Sequence, residues 1–378
     1  MNPHLTSIDI FSGAGGMSTG AKMAGITPKL AIEIDQHAAQ TFRINHPESK
    51  VLQEDISTIN PFEHINFQPF VLCGGPPCQG FSIANTRSRN LKNPNNWLFK
   101  EYLRFIKELQ PRWFVFENVE GFKSFDNGDF ALNVEKKLSL LGYETSSKVL
   151  NAADFGVPQN RNRYFIIGHL KKLGGLKFNF ESLKKLPTIT VGEALSNLPS
   201  LKNGGRENFL PYKRSSKKHS YLKLMTKNSR NSTQNFVTQN KDHIIERYKV
   251  IKQGENWKAA KNKGLLETYS STKNTHSGIY RRLKLDEVAP TISNYRKSMM
   301  IHPLEHRGLS LREAARLQSF PDNFIFSGPL SYQQQQVGNA VPPLLAKIIF
   351  DQIIKLEETM ISSTMNTNTI SCFPQRTG

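Results

Sequence analysis

Cysteine is nearly absent from this chain: among 378 residues only Cys73, Cys78 and Cys372 occur. Three thiols cannot build a disulfide framework, and the count fits a reducing cytosol. Neither Cys73 nor Cys78 has a histidine or a second cysteine pair at zinc-ligand spacing, so no metal site is expected. No run of about 18 consecutive apolar residues is present, which speaks against a membrane span. The opening Met1-Asn-Pro-His-Leu-Thr6 lacks a charged segment followed by an apolar one, so no secretory leader is read there. Acidic residues are scarce as well, 31 against 50 lysines and arginines, for a formal net charge of +19. The imbalance is local. Residues 201–300 hold 22 lysines and arginines and 7 acidic residues. Such a concentrated excess points to a polyanion, because each cation that neutralises a phosphate releases condensed counterions. Charge alone also admits a solvated basic face or a membrane-surface patch.

What is present is regular alternation. Short apolar runs at Ser7–Phe11, Lys29–Ile34, Val51–Leu52, Phe70–Cys73, Trp113–Phe116 and Tyr164–Gly168 read as strands. Helical patterns lie between them, up to Ala24, over His37–Asn45, Leu98–Leu109 and Phe130–Leu141. Strands alternating with helices predict βαβ units, a parallel sheet and an α/β fold. From about residue 187 the chain turns polar and basic without clear periodicity. Regular patterns return at Leu311–Phe320 and Pro342–Leu356, and the polar end from Glu358 is expected to be disordered. The simplest organisation is an α/β domain over 1–186, an inserted basic domain over 187–329, a return to the first domain over 330–357, and a tail over 358–378.

Phe11-Ser-Gly-Ala-Gly-Gly16 sits between the first strand and the first helix. Its glycines let a ligand approach the backbone at a helix N-terminus that favours negative charge. The dinucleotide spacing G-x-G-x-x-G fails, because Ser18 stands at its last position. The loop is short and suits a carboxylate better than a pyrophosphate. Glu33 ends the second strand, where a ribose-binding carboxylate is expected. Asp55 follows the third strand, placed to accept from an adenine amino group. Carboxylate, ribose and adenine together describe S-adenosylmethionine; a structural turn with two solvated carboxylates is the plainer alternative.

Gly74-Gly-Pro-Pro-Cys-Gln-Gly-Phe-Ser82 follows the fourth strand. Prolines stiffen the approach to Cys78, at the strand end where parallel sheets place ligands. Cys73 instead reads as a small buried hydrophobe. Glu117 and Asn118 follow the fifth strand at the same sheet edge, and partial desolvation would raise the pKa of Glu117. Gln159-Asn-Arg-Asn-Arg163 adds two arginines beside an apolar strand, to hold a base oxygen or phosphates, or to pair with surface acids.

Taken together with Asp9-Ile-Phe-Ser-Gly-Ala-Gly-Gly16, Phe116-Glu-Asn-Val119, Arg312-Glu-Ala-Ala-Arg-Leu-Gln-Ser-Phe-Pro321 and Gln336-Val-Gly-Asn-Ala-Val-Pro-Pro343, these motifs are specific. In this order the chain resembles the DNA cytosine-5 methyltransferases, especially those of bacterial restriction–modification systems, everywhere except its basic middle. The resemblance implies a Rossmann-like S-adenosylmethionine-dependent sheet with a smaller inserted target-recognition domain. It implies Cys78 as nucleophile, Glu117 on the cytosine ring nitrogen, and Arg163 on the base oxygen and orienting Glu117, with Arg161 nearby. Phe11, Gly13 and Gly15 would line the methionine end of the cofactor, Glu33 its ribose, and Asp55 with Ile56 its adenine, with Asn339 closing the pocket. Gln79, Ser82 and Thr291 would touch DNA. Lys213, Arg214, Lys217, Lys218, Arg281 and Arg282 are candidates for phosphate contact in the basic segment. The partner is double-stranded DNA rather than a membrane, with a cognate restriction endonuclease acting on the same site and a monomeric enzyme in a bacterial, nucleoid-associated cytoplasm.

The chemistry accounts for this residue set. Cytosine C5 is a poor nucleophile until a thiolate adds to C6 and the ring nitrogen is protonated. A thiol near pKa 8.5 needs help to ionise, expected from Arg161 or backbone amides. A stacked base cannot be attacked, so it must be flipped out. The RNA-modifying branch of the family is the main alternative, but no Cys-Phe-Thr segment of its kind occurs. A nicotinamide dehydrogenase fails on the glycine spacing. A zinc deaminase lacks its second cysteine after Pro77-Cys78. A non-catalytic DNA-binding protein leaves the cysteine and glutamate pair unexplained.

Overall fold

The computed structural model describes residues 5–77, 98–214, 220–266, 275–293 and 295–370. Its first half runs β1 (Thr6–Ile10), α1 (Gly16–Met23), β2 (Thr27–Ile32), α2 (Gln36–Asn45), β3 (Lys50–Leu52), β4 (Val71–Gly74), α3 (Phe99–Leu109), β5 (Trp113–Val119), α4 (Glu120–Ser124), α5 (Asp129–Leu140), β6 (Tyr143–Asn151) and β7 (Asn162–Leu170). The seven strands form one sheet in the order β3-β2-β1-β4-β5-β7-β6. Neighbours from β3 to β5 are parallel, as expected, but β7 runs antiparallel to both β5 and β6. The wholly parallel sheet read from the sequence is therefore corrected at this edge. The ten residues from Ala152 to Arg161 join β6 to β7 directly, and a connection without a crossover helix returns the chain antiparallel.

Period-2 alternation sends successive side chains to opposite faces. Phe114 and Phe116 of β5 join Ile8, Ile10, Tyr102 and Phe105 on one face. Trp113 and Val115 join Met17, Ala21, Leu345 and Ile349 on the other. Both faces carry helices, so the sheet is central. Order reverses between β1 and β4, and such a switch point opens a crevice at the carboxyl ends of the strands.

The second half contains α6 (Val191–Leu195), β8 (Phe209–Leu210), α7 (Ser220–Thr226), β9 (Ser232–Thr233), α8 (Asp242–Val250), α9 (Trp257–Asn262), α10 (Leu311–Leu317), α11 (Leu330–Asn339) and α12 (Pro343–Ile370). Thr190 and Ser310 begin α6 and α10 with capping boxes closed by Glu193 and Glu313. Part of the basic segment has its own small core, built from Tyr248, Ile251, Trp257, Tyr280 and Ile301. Other parts do not stand apart: Leu195, Tyr221, Met225, Leu311 and Phe320 share the cluster of α1 and α12.

Two expectations change here. The tail from Glu358 is not disordered throughout, since α12 continues to Ile370. Leu330–Ser362 is also long and apolar enough to cross a membrane by composition, but 67% of its most apolar window is buried against the protein. That burial is what a core helix requires.

Arginines hold the return of the chain in place. Arg307 makes a two-pronged contact with Glu313, Nη1 to Oε2 at 2.8 Å and Nη2 to Oε1 at 2.7 Å. The adjacent guanidinium keeps the Glu313 carboxyl ionised down to about 2 despite its burial. Arg316 pairs in the same way with Asp322, which also accepts from Tyr212 at 2.6 Å. Arg282 was a phosphate candidate, and this is corrected. It is buried, and its guanidinium donates to the carbonyls of Tyr248 (2.6 Å), Ile251 (2.6 Å), His302 (2.7 Å) and Glu305 (2.9 Å). A cation whose donors are consumed by carbonyls holds a fold rather than a phosphate. Arg281 is half-buried, while Lys213 and Arg214 are exposed. Lys213 donates to Ser200 Oγ at 2.7 Å. Lys217 and Lys218 lie outside the described residues.

Candidate active site

The loop after β1 is bent by left-handed backbone at Phe11 (φ 58°), Gly13 (φ 54°) and Gly15 (φ 88°). For an aromatic residue that conformation is strained, and such strain concentrates at ligand-binding turns. Nothing lies within 4 Å of where a Cβ on Gly13 would sit, so the loop faces open space. No side chain caps the N-terminus of α1 at Gly15, which leaves its first-turn amides available to an anion. Glu33, directly after β2, fixes the loop: Oε2 accepts from Gly13 N at 2.7 Å and Oε1 from Asp35 N at 2.9 Å. Burial raises its pKa against those two hydrogen bonds. Beneath the loop, Asp9 accepts from Ser18 Oγ at 2.6 Å, and burial pushes its carboxyl up to about 7. Asp55 follows β3, is exposed, and accepts from Ser57 N (2.9 Å) and Ser57 Oγ (2.8 Å), with Ile56 buried beside it.

β4 ends in Gly74, and the described chain continues to Pro77. Cys78, Gln79 and Ser82 lie outside the described residues. Their approach is nonetheless fixed. Asn118 Nδ2 donates to Pro76 O at 3.1 Å, tying the incoming loop to the end of β5. Glu117 is buried at that strand end, and Arg163 Nε donates to its Oε1 at 2.8 Å across the β5–β7 pairing. Burial raises the Glu117 pKa, with the Arg163 and Arg161 charges opposing the rise. The expected desolvation is thus present.

Comparison with known proteins identifies the family. The family model for C-5 cytosine-specific DNA methylase matches residues 5–355. The chain is 38% identical to the type II methyltransferase M1.HphI of Haemophilus parahaemolyticus, over 93% of this chain and 87% of that one. It is 34% identical to M.DdeI of Desulfomicrobium norvegicum, over 92% and 88%. Among solved structures it is similar to a DNA modification methyltransferase encoded within a prophage (E. coli), with a TM-score of 0.77, 29% identity, and coverage of 94% of this chain and 99% of that one. The S. pombe Dnmt2 methyltransferase, at 16% identity and a TM-score of 0.59, shares the fold. The chain belongs to the C-5 cytosine-specific DNA methylase family. The activity is therefore DNA cytosine-5 methylation, and enzymes of this family are S-adenosylmethionine-dependent.

In this methylase the residues read from sequence as one site divide into two groups. Phe11, Gly13, Gly15, Glu33, Asp55, Ile56, Glu117 and Arg163 all stand at the carboxyl-end margin of the sheet. Arg161 lies beside the backbone that flanks Thr291 and Asn339, with its charge still acting on Glu117. It is buried, and its guanidinium donates to the carbonyls of Ile292, Gly338 and Ala340, while Cys78, whose thiolate it was expected to favour, lies outside the described residues. Thr291 is exposed and its hydroxyl donates to Asn160 O at 2.7 Å; Asn339 is exposed at the end of α11. Two positioning residues were missed. Asn118 was named without a role, although its place directly after Glu117 was the signal. Gln159 bridges Leu317 O, Gln318 and Ile292 N, a task that no local pattern announces.

Gly75 leads to a first prediction. A Cβ there would sit 2.5 Å from Glu117 Oε2, with no demand on the backbone from a positive φ. Gly75→Ala is expected to displace the carboxylate, leave the fold intact, and slow methyl transfer by about 10²-fold. Steady-state kinetics with a thermal melt checks this; unchanged activity would contradict the packing of Glu117.

Proposed function

We propose that this methylase modifies a flipped cytosine in duplex DNA at a specific sequence, as the modification enzyme of a type II restriction–modification system. In this reading it works as a monomer beside a cognate endonuclease. The observation that carries the reading is the strand order. Asp55 after β3, Glu33 after β2 and Phe11–Gly15 after β1 follow one another along the sheet margin, and the Cys78 loop after β4 and Glu117 near the end of β5 come next. A ligand with adenine at β3, ribose at β2 and its amino-acid end at β1 would present its reactive centre to the β1/β4 switch point, beside the nucleophile. Open space over Gly13, uncapped amides of α1 and the paired oxygens of Glu33 suit S-adenosylmethionine. Bound there, it supplies an electrophilic methyl group.

The chain's own residues supply the rest. Cys78 adds as thiolate to cytosine C6, and Glu117 gives its proton to N3, so that electron density gathers at C5. Arg163 holds Glu117 in place and faces the base oxygen. After C5 is methylated, its proton passes to solvent water as the C6–S bond breaks and expels the Cys78 thiolate, and the N3 proton returns to Glu117. Burial favours this cycle because it keeps Glu117 protonated to higher pH than a free carboxyl. The segment 187–329 would read the sequence, with Lys213, Arg214 and Arg281 on phosphates, Thr291 on the backbone, and Gln79 and Ser82 beside the flipped base. Incubating the protein with labelled S-adenosylmethionine and either genomic duplex DNA or tRNA tests the reading. Label on cytosine C5 of DNA at one recurrent sequence is expected; label on tRNA alone would replace this reading with the RNA one.

A further inference from the structure

Three segments that the proposed function assigns to different tasks meet at one buried side chain. Arg161 Nη2 donates to Gly338 O at 2.8 Å and to Ala340 O at 2.9 Å, the two carbonyls that flank Asn339. Its Nη1 donates to Ile292 O at 2.9 Å, the residue after Thr291. The side chain is fully buried, and burial pushes its pKa well down. The seam is tight without it as well: a Cβ on Gly338 would lie 1.9 Å from Ser293 O. Gln159 and Asn160 close it from the other side, through Ile292 N to Gln159 Oε1 at 2.8 Å and Asn160 N to Ala289 O at 2.8 Å.

We propose that Arg161 is a positioning residue that couples the cofactor pocket to the DNA-facing segment around Thr291, so that binding on either side tightens the other. The inference rests on the functional reading above, with Asn339 facing cofactor and Thr291 facing DNA. A buried guanidinium spanning three carbonyls leaves these backbones no independent movement, because shifting one strands a charged donor away from water. Ordering Asn339 around a ligand therefore orders residues 289–293 too, and linkage makes the effect reciprocal. Lysine cannot replace it, since one ammonium cannot reproduce a planar fork aimed at three acceptors.

The test measures affinity of the full chain for S-adenosylhomocysteine, for duplex DNA, and for each in the presence of the other. The wild type is expected to show mutual tightening of about 5-fold or more. Arg161→Lys is expected to weaken S-adenosylhomocysteine about 10-fold and to bring the coupling factor near one. Gly338→Ala, which opens the seam from the opposite side, is expected to do the same. Arg312→Lys is the control. Arg312 is equally buried and bonded to the carbonyls of Thr233, Pro321 and Phe324, so it should lower thermal stability but leave coupling intact. Coupling unchanged in Arg161→Lys, or lost equally in Arg312→Lys, would overturn the proposal. If the Arg161 variant does not fold, amide exchange in the wild type decides: S-adenosylhomocysteine should slow exchange at Asn160 and Ile292, and no change there would refute it. Failure of the wild type to bind S-adenosylhomocysteine at all would instead sink the functional reading, and this inference with it.

Discussion

Cys78→Ser is expected to lower methyl transfer by on the order of 10⁴-fold or more while duplex binding persists. The reaction needs a nucleophile that is ionised near neutral pH, adds to an aromatic carbon, and leaves again. A thiol near pKa 8.5 is a few per cent ionised at pH 7 and intrinsically reactive, whereas a serine hydroxyl is neither. The described chain that leads to Cys78 is held from two sides. β4 delivers the loop at the switch point, and the Asn118 bond to Pro76 O anchors it two residues before the thiol. Cys73 does not compete by position. It is buried within β4, where desolvation raises its pKa well above the ordinary value. Rates from single-turnover assays, set beside duplex affinity, check the prediction. Substantial turnover in the serine variant would remove Cys78 from the mechanism.

Glu117→Gln carries the second large effect, a loss of about 10²–10⁴-fold in methyl transfer. A glutamine amide can still hydrogen-bond the ring nitrogen, but it cannot pass a proton to it and take it back. The substitution also leaves the Arg163 guanidinium facing a neutral partner across 2.8 Å in a buried site, which misplaces the group meant for the base oxygen. The direction of the pKa shift sets the pH dependence. Burial raises the Glu117 value, so the protonated form persists above the usual carboxylate range and is lost as pH rises through the raised value. Thiolate formation by Cys78 gains over the same interval. The wild type should therefore show a rate limited on the alkaline side by Glu117 and on the acidic side by Cys78. The glutamine variant should keep only the acidic limb. A pH profile of kcat/KM for both proteins checks this, and an alkaline limb surviving in the variant would assign the proton to another group.

Much of this arrangement was legible in the sequence because the decisive segments are strands followed by functional loops. The apolar runs at β1, β2 and β4 lie within two residues of their observed limits and that at β5 stops three short of Val119, with Glu33 directly beyond β2, Asp55 three residues beyond β3 and Glu117 near the end of β5. Tyr143–Asn151 escaped because a sheet-edge strand needs little burial, and its Glu, Thr, Ser and Lys side chains are mostly half-buried. With that strand unseen, the reversal of β7 had no sequence sign. Arg282 was misjudged for another reason. A buried arginine satisfying carbonyls and an exposed one awaiting phosphates have the same local sequence, and only the tertiary partners separate them. The extension of α12 to Ile370 shows the converse: polar composition marks a solvated surface but does not forbid a helix.

The most direct measurement is to find where the enzyme bonds to its substrate. Wild-type protein is incubated with S-adenosylmethionine and a methylatable duplex whose target cytosine is replaced by 5-fluorocytosine, so that the final elimination is blocked. After digestion, mass spectrometry of the cross-linked peptide should place a methylated fluoropyrimidine on Cys78. An adduct on Cys73 or Cys372, or none at all, would contradict the account.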